Sequence, residues 1–538
     1  MNCKATHLTY RQTGYFSKII VDYLEGSETL APMYSHPVSL DGIKSAIGSR
    51  QQFPVDRKTL VTTLKEQYSA VETGSAVRAN IDRLLEKNCF TVTTAHQPAI
   101  FTGTLFFLYK ILHTIKLASF LSESLPSYQF VPVFYMGSED ADLDELGNIY
   151  LDQEKLVWDT RQTGAVGRMN PKGLEKILSR IEGEFSVLPF GKELVKLLKE
   201  CYLAGPDIQT ATFKFVHALL SQYGLVILIP DSANLKRSML TVFEDDLFQQ
   251  TPSVKVEEMI RDLSIHYKVQ AHPREINLFY LKDDLRGRIE KKGAHFFVAD
   301  TRLPGSQGLT FSEKQMRDEL KQYPERFSPN VILRGIFQET ILPNIAFIGG
   351  GGEIAYWLEL KKMFEHYKVP FPVLILRNSF LIIAKKWWEK MKKMDLSVTD
   401  ICRSEEDLLK ALVKKQSGHQ LDLVEELRQA QDFYEKIRAS ANRIDPSLSQ
   451  HVEALKARAM KALRELENKL LKAEKRKFQD QRRQIHEIKS ALFPLGELQE
   501  RIENLIPYYA AWGMQFIEAL YKNSPSFEQK FVVLAEDE

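Results

Sequence analysis

The chain has 538 residues, enough for two or three domains, and 44% are hydrophobic against 26% charged, the proportions of a globular protein with a sizeable core. Its 72 Lys and Arg nearly cancel 70 Asp and Glu, so no global charge recruits nucleic acid, and none is expected as a partner. The four cysteines, Cys3, Cys89, Cys201 and Cys402, are widely spaced with no C-x-x-C pair, which points to a reducing compartment and away from a zinc site. No signal-peptide run opens the sequence and no segment approaches the ~20 apolar residues that span a bilayer, so the expected location is cytoplasmic, with no membrane partner.

In chain order, residues 89–94 (C-F-T-V-T-T) read as a buried strand, 105–121 as a helix and 130–136 (F-V-P-V-F-Y-M) as a second strand. Two apolar runs separated by such a helix make a parallel β-α-β unit. Residues 224–231 give a third strand, and 344–349, 353–367 and 371–377 a further strand-helix-strand unit. The segments 151–222 and 236–328 read as insertions. The fold class is therefore α/β, a Rossmann-like doubly wound parallel sheet with insertions, followed by an α-helical antiparallel coiled-coil arm.

The composition changes near Ile383, where long charged stretches rich in helix formers begin. Leu463, Leu466, Leu470 and Ala473 keep an a/d spacing, resumed with a one-residue slip by Phe478, Gln481, Ile485, Ile488 and Leu492. Asp445, Pro446 and Ser447 form the expected hairpin tip. The expected division is a core over 1–385, an arm over 386–505 that makes a homodimer, and a terminal segment, 506–538, returning to the core.

Open parallel sheets bind ligands beyond the carboxyl ends of their strands, and three polar clusters fall there. His96 and Gln97 leave the first strand, with Gly103 before the helix; this is neither a dinucleotide fingerprint nor a P-loop. Glu139, Asp140 and Asp142 crowd the end of the second strand with Asp144 and Glu145. They read either as first-turn helix acids or as carboxylates awaiting a cation or ammonium. Four glycines, 349–352, precede Glu353, Tyr356 and Trp357, which suggests a loop that a ligand approaches closely. Arg334 and Arg377 could clamp a carboxylate or phosphate, or form structural ion pairs. Gln338 lies near Arg334.

Taken in this order, the clusters resemble the bacillithiol biosynthesis cysteine-adding enzyme family over nearly the whole chain. In A-H-Q-P-A-I-F-T-G-T-L-F-F-L-Y-K the residues Gln97, Gly103, Tyr109 and Lys110 match, whereas Ala95 and His96 depart. In P-V-F-Y-M-G-S-E-D-A-D the residues Glu139, Asp140 and Asp142 match, and Ala141 replaces a histidine. S-P-N-V-I-L-R (328–334), Q-E-T-I-L-P (338–343), G-G-G-G-E-I-A-Y-W (349–357) and L-F-P-L-G-E-L-Q-E-R (492–501) complete the match.

The resemblance implies a cysteine ligase that joins L-cysteine to the amine of glucosaminyl-malate in the last step of bacillithiol synthesis. It also implies a core akin to class I aminoacyl-tRNA synthetases. Glu139, Asp140 or Asp142 would hold an amine, Gln97 and Gly103 would face the activated carboxyl, and Arg334 and Arg377 would meet the malate carboxylates. His96 would stand in for the missing histidine as acid/base, and Asp142→Asn should lower turnover. The substrate-binding set implied is Gly103, Tyr109, Lys110, Arg334, Gln338, Gly350, Gly351, Glu353, Tyr356, Trp357 and Arg377. The activating cofactor is unassigned; a nucleotide such as ATP or ADP would serve, and zinc is not expected. The alternatives are a related transferase with another amine acceptor and a non-catalytic coiled-coil assembly protein.

Overall fold

In the computed structural model, residues 3–299, 308–417 and 422–536 are described. Residues 300–307 of the second expected insertion, 418–421 of the arm and 537–538 of the terminal segment lie outside them. The chain forms two units, one made of Met1–Ile383 with Glu497–Glu538 and the other of Ala384–Gly496.

The first unit is built on five parallel strands, β1 (Cys89–His96), β2 (Gln129–Met136), β3 (Val226–Leu228), β4 (Asn344–Gly349) and β5 (Val373–Leu376), in the order β5-β4-β1-β2-β3. The order reverses between β1 and β4, so the crevice beyond their carboxyl ends is the expected ligand position. These strands are nearly continuous apolar runs because both faces are covered. Phe90, Val92, Phe130, Ile345, Ile348 and Ile375 lie at most 6% exposed, packed with Leu117 and Leu121 of helix α1 (Phe106–Ser124) and Ile43 and Ile47 of helix Leu40–Gln51.

Register brings the strand ends level. Cys89 pairs with Gln129 and His96 with Met136 without a break, while β1 and β4 slip once between Asn344 and Ala346. Asn344 holds that slip: its Oδ1 accepts from the Thr91 and Thr93 hydroxyls, and its amide donates to Glu339. Glu339 is buried against Arg50 and also accepts from Gln338. The matched Gln338 thus belongs to a core network at the amino end of β4, away from the ligand edge.

The insertion between β3 and β4 carries an antiparallel five-stranded sheet that includes Leu278–Lys282, Leu285–Lys292 and Phe327–Pro329. A three-stranded sheet sets Phe531–Glu536 between Cys3–Leu8 and Ser379–Ile383. Return to the core begins at Glu497 rather than 506. Gln499 exchanges two hydrogen bonds with the Ile382 backbone, and the Glu500 carboxylate accepts from Arg377, the Ser379 hydroxyl and the Phe380 amide.

In the second unit, α3 (Val424–Ile444) and α4 (Leu448–Lys475) form the antiparallel hairpin, turning at 445–447, where Asp445 accepts from the Ser447 amide. The seam differs from the a/d reading. Leu466 and Leu470 are 47% and 37% exposed, and the side chains buried in that stretch are Leu471 and Glu474. The one-residue slip is a helix end: α4 stops at Lys475 and α5 (Gln479–Leu492) starts anew, burying Ile485, Ile488 and Leu492. No helix among the described residues is long and apolar enough to cross a membrane.

His113, on α1 with no exposed surface, has both ring nitrogens committed in the neutral form: Nε2 lies 2.9 Å from the Ser526 carbonyl and Nδ1 accepts from the Asn378 amide. Burial pushes its pKa down to about 4. Between pH 6.5 and 4 the unfolded chain therefore takes up a proton the folded chain refuses, and stability falls as pH falls through that window. The full contribution is on the order of 3 kcal/mol. In denaturant unfolding at pH 7 and pH 4.5, His113→Asn should close most of the gap to wild type at the lower pH. A constant gap would show that His113 protonates as easily folded as unfolded.

Candidate functional site

A cavity of about 770 Å³ opens beyond the carboxyl ends of β1, β2 and β4. His96, Gln97, Glu139, Asp140, Arg334, Gly350, Gly351, Glu353, Tyr356 and Arg377 line it. The remaining expected residues do not. Tyr109 is fully buried with its ring 4.8 Å from Phe380, and Trp357 stacks on Phe347 at 4.5 Å. Asp142 lies outside the lining, where its Oδ1 accepts from the Glu145 amide and caps the short helix Leu143–Leu146. Gly103 (φ 62°, ψ −124°) ends a turn in which Phe101 and Thr102 also have positive φ. Asn504 holds that turn by donating to the Phe101 and Gly103 carbonyls. A side chain at 103 would meet both a forbidden backbone region and the Ala99 methyl at 3.0 Å. The glycine therefore shapes the connection and does not line this cavity.

The acid wall comes from the loop after β2. Gln97 donates to Asp140 Oδ2 (3.0 Å), and the Ala141 amide donates to Oδ1 (2.7 Å). Burial raises the Asp140 pKa, but these bonds and the Arg286 charge outweigh it and hold the carboxyl below its usual range. Glu139 is the opposite case: burial dominates and raises it, although Lys236, with no exposed surface, donates to it. Lys236 also lies 3.8 Å from Asp231, which Arg168 grips with two 2.7 Å bonds. Lys236, Asp231 and Arg168 carry no sequence signal, since a lysine in a short polar stretch reads as surface.

Glu353 opens helix α2 (Gly351–Trp357), and its carboxylate accepts from the Gly350 amide. Lys110, buried on α1, bridges it to the Ala95 carbonyl at the end of β1 (2.6 Å). Lys110 is therefore a strut under the cavity that ties β1 to the glycine loop at the switch point. Burial raises the Glu353 pKa, yet Lys110 and Arg334 outweigh it, so the carboxylate stays ionised. None of the four glycines has a positive φ. At Gly352 a side chain would meet nothing nearer than Gln270 at 4.0 Å, a cavity residue, so what the glycine leaves empty is cavity.

His96 is a neutral imidazole, its Nδ1 2.9 Å from the Gln97 carbonyl and its ring against Phe106 and Phe107. Burial, reinforced by Lys110, pushes its pKa down to about 4, so it remains unprotonated at neutral pH. Arg334 donates to the Tyr356 hydroxyl and lies 3.8 Å from Glu353, while Arg377 is bound to Glu500, the Asn378 carbonyl and Ser379. Both line the cavity, Arg334 with one hydrogen bond and Arg377 with its terminal nitrogens bound and its buried Nε without a partner. Among the described residues no group of three or more His, Cys, Asp or Glu is placed to hold a metal ion.

Comparison with known proteins agrees with this architecture. Residues 1–378 match the family described as Bacillithiol biosynthesis BshC, N-terminal Rossmann-like domain, and 380–536 its C-terminal coiled-coil domain. A protein of Flavobacterium johnsoniae named "Putative cysteine ligase BshC" is 37% identical over 98% of this chain and 99% of its own. One of the same name from Cytophaga hutchinsonii is 37% identical over 94% of each. A solved structure titled as a putative arginyl tRNA synthetase from Campylobacter jejuni covers 84% of this chain and 98% of its own at 11% identity, with a TM-score of 0.21, too low to bear on the fold. With both domain families matched end to end and relatives of full length, the chain belongs to the bacillithiol biosynthesis BshC family.

Proposed function

We propose that this protein is a cysteine ligase that joins the carboxyl of L-cysteine to the glucosamine amine of glucosaminyl-malate, the last step of bacillithiol synthesis. The observation that carries this reading is a cavity whose lining mixes the carboxylates Glu139, Asp140 and Glu353 with the arginines Arg286, Arg334 and Arg377. Such a lining suits two substrates that each bear both an amine and a carboxylate. Asp140, held ionised, takes an ammonium. Glu139, whose proton affinity burial raises, receives the proton that the attacking amine must lose. A free carboxylate is a poor acyl donor, so the reaction needs an activating group, and a nucleotide such as ATP is the candidate.

Deleting the gene in its host and measuring thiols by mass spectrometry tests the reading. Loss of bacillithiol with accumulation of glucosaminyl-malate supports it; unchanged bacillithiol in a host with no second copy overturns it.

The reading includes a homodimer made by the arm. Phe433, Ile437 and Ile444 on α3 are 58%, 37% and 83% exposed, and Leu448, Leu455, Leu466 and Leu470 on α4 are 37–47% exposed. On each helix these fall within about 60° of one another. Phe433→Glu with Leu466→Glu should turn a dimer into a monomer in analytical ultracentrifugation with the helix content unchanged. A variant that still sediments as a dimer would remove the stripe from the interface.

A further inference from the structure

One wall of the cavity comes from the insertion, and some of its polar groups lack hydrogen-bond partners among the described residues. In register, Phe279 stands opposite both Arg288 and Ser328, and Arg286 lies two positions from Arg288, so all four share one face of the insertion's antiparallel sheet. The Arg286 guanidinium rests on the Phe279 ring, 3.8 Å from its centroid, which fixes the plane of its donors. Its side chain is only 12% exposed, and its Nε is buried without a hydrogen-bond partner. The nearest carboxylate oxygen, on Asp140, is 3.9 Å away, beyond hydrogen-bond reach. The buried Ser328 hydroxyl on the same wall is also without a partner. Arg274, at the rim, has no side-chain hydrogen bond or ion pair among the described residues.

A buried guanidinium nitrogen without an acceptor is destabilising, and an anion delivered into the cavity removes that cost. Arg334 and Arg377 differ because Arg334 donates to the Tyr356 hydroxyl and the Arg377 charge is paired with Glu500, although Arg377 Nε also lacks a partner. We propose that Arg286, with Arg274 and the Ser328 hydroxyl, forms an oxyanion subsite that binds the malyl carboxylates of the amine acceptor and so sets acceptor specificity. Arg334 and Arg377 then act as positioning residues for Tyr356, Glu353 and the strand end. The assignment to the acceptor rests on the ligase reading above. The subsite itself rests on the unpartnered donors, and a phosphate of an activating nucleotide presents the same oxyanion chemistry.

The test uses the full-length protein and two readouts. In thermal unfolding, L-malate and ATP are titrated separately against wild type, Arg286→Gln, Arg286→Lys and Arg288→Gln. The malate-induced rise in melting temperature should vanish in Arg286→Gln, return in part in Arg286→Lys, and persist in Arg288→Gln, which removes the same charge from the same sheet face outside the cavity. In steady-state assays Arg286→Gln should raise KM for glucosaminyl-malate about 10- to 100-fold, with kcat and the KM for cysteine within about 3-fold. Methyl glucosaminide, which lacks the carboxylates, should be used equally by wild type and variant.

A malate shift that survives in an Arg286→Gln/Arg274→Gln variant overturns the subsite. A variant that loses ATP stabilisation and keeps malate stabilisation overturns the acceptor assignment and gives the subsite to a phosphate. A malate shift lost in Arg286→Gln, in a protein that makes no amide product, sustains the oxyanion subsite and sinks the ligase reading instead.

Discussion

Replacing Lys236 by Met should destabilise the first unit by about 3–5 kcal/mol, the cost of stranding buried charge. Lys236 has no exposed surface, and its ammonium stands between Glu139 and Asp231 and donates to the Glu325 carbonyl. Without it, two buried carboxylates face each other with only Arg168 on the far side of Asp231, and Glu139 must take up a proton to relieve the repulsion. Adding Glu139→Gln removes the stranded charge, so the double variant should recover more than half of the lost stability. Denaturant unfolding of the four members of this cycle gives the coupling directly. A single variant within 1 kcal/mol of wild type, a bound set by the usual range for surface substitutions, would mean that Lys236 is not buried as described. Recovery of stability without recovery of activity is the expected pattern, because Gln at 139 cannot accept the amine proton.

Asp140→Asn should leave stability nearly unchanged and lower kcat/KM by about 10²-fold or more, the loss expected when a charge-assisted contact to a substrate ammonium is removed. Its neighbour Asp142 is the control. Asparagine caps a helix as well as aspartate does, so Asp142→Asn should retain both stability and turnover, against the expectation from motif matching. Equal losses in the two variants would mean that the whole loop, and not the Asp140 carboxylate, is what the substrates sense.

The sheet was legible because its strands are buried on both faces and therefore apolar throughout. The expected 89–94 became Cys89–His96, and 130–136 became Gln129–Met136. The third strand shrank from 224–231 to Val226–Leu228, and the expected helix 353–367 breaks into Gly351–Trp357 and Lys361–Tyr367. The arm misled because α4 buries Val452, Leu471 and Glu474 and leaves Leu466 and Leu470 exposed, and a heptad count cannot tell a buried apolar position from an exposed one.

Within the cavity, residues at strand ends could be found by topology alone: His96, Gln97, Asp140, Glu353 and Arg377 all follow a parallel strand. Motif matching also drew in Gln338, Tyr109 and Trp357, whose roles are in packing. Arg286 sits in an antiparallel strand and Arg274 in the irregular segment before Leu278–Lys282, both without a motif, and the Arg377–Glu500 contact joins residues 123 positions apart, so neither had a local signal.

The three-stranded sheet has a consequence for the order of events on the ribosome. Its middle strand, Phe531–Glu536, is made after both neighbours, Cys3–Leu8 and Ser379–Ile383. Until then a nascent chain carries two open strand edges and an Arg377 without Glu500, and the turn at 101–103 waits for Asn504. Synthesis interrupted within the arm thus yields a core whose cavity is unfinished and whose edges invite proteolysis or aggregation. The late strand works as a latch, so assembly of the cavity is coupled to translation past the arm.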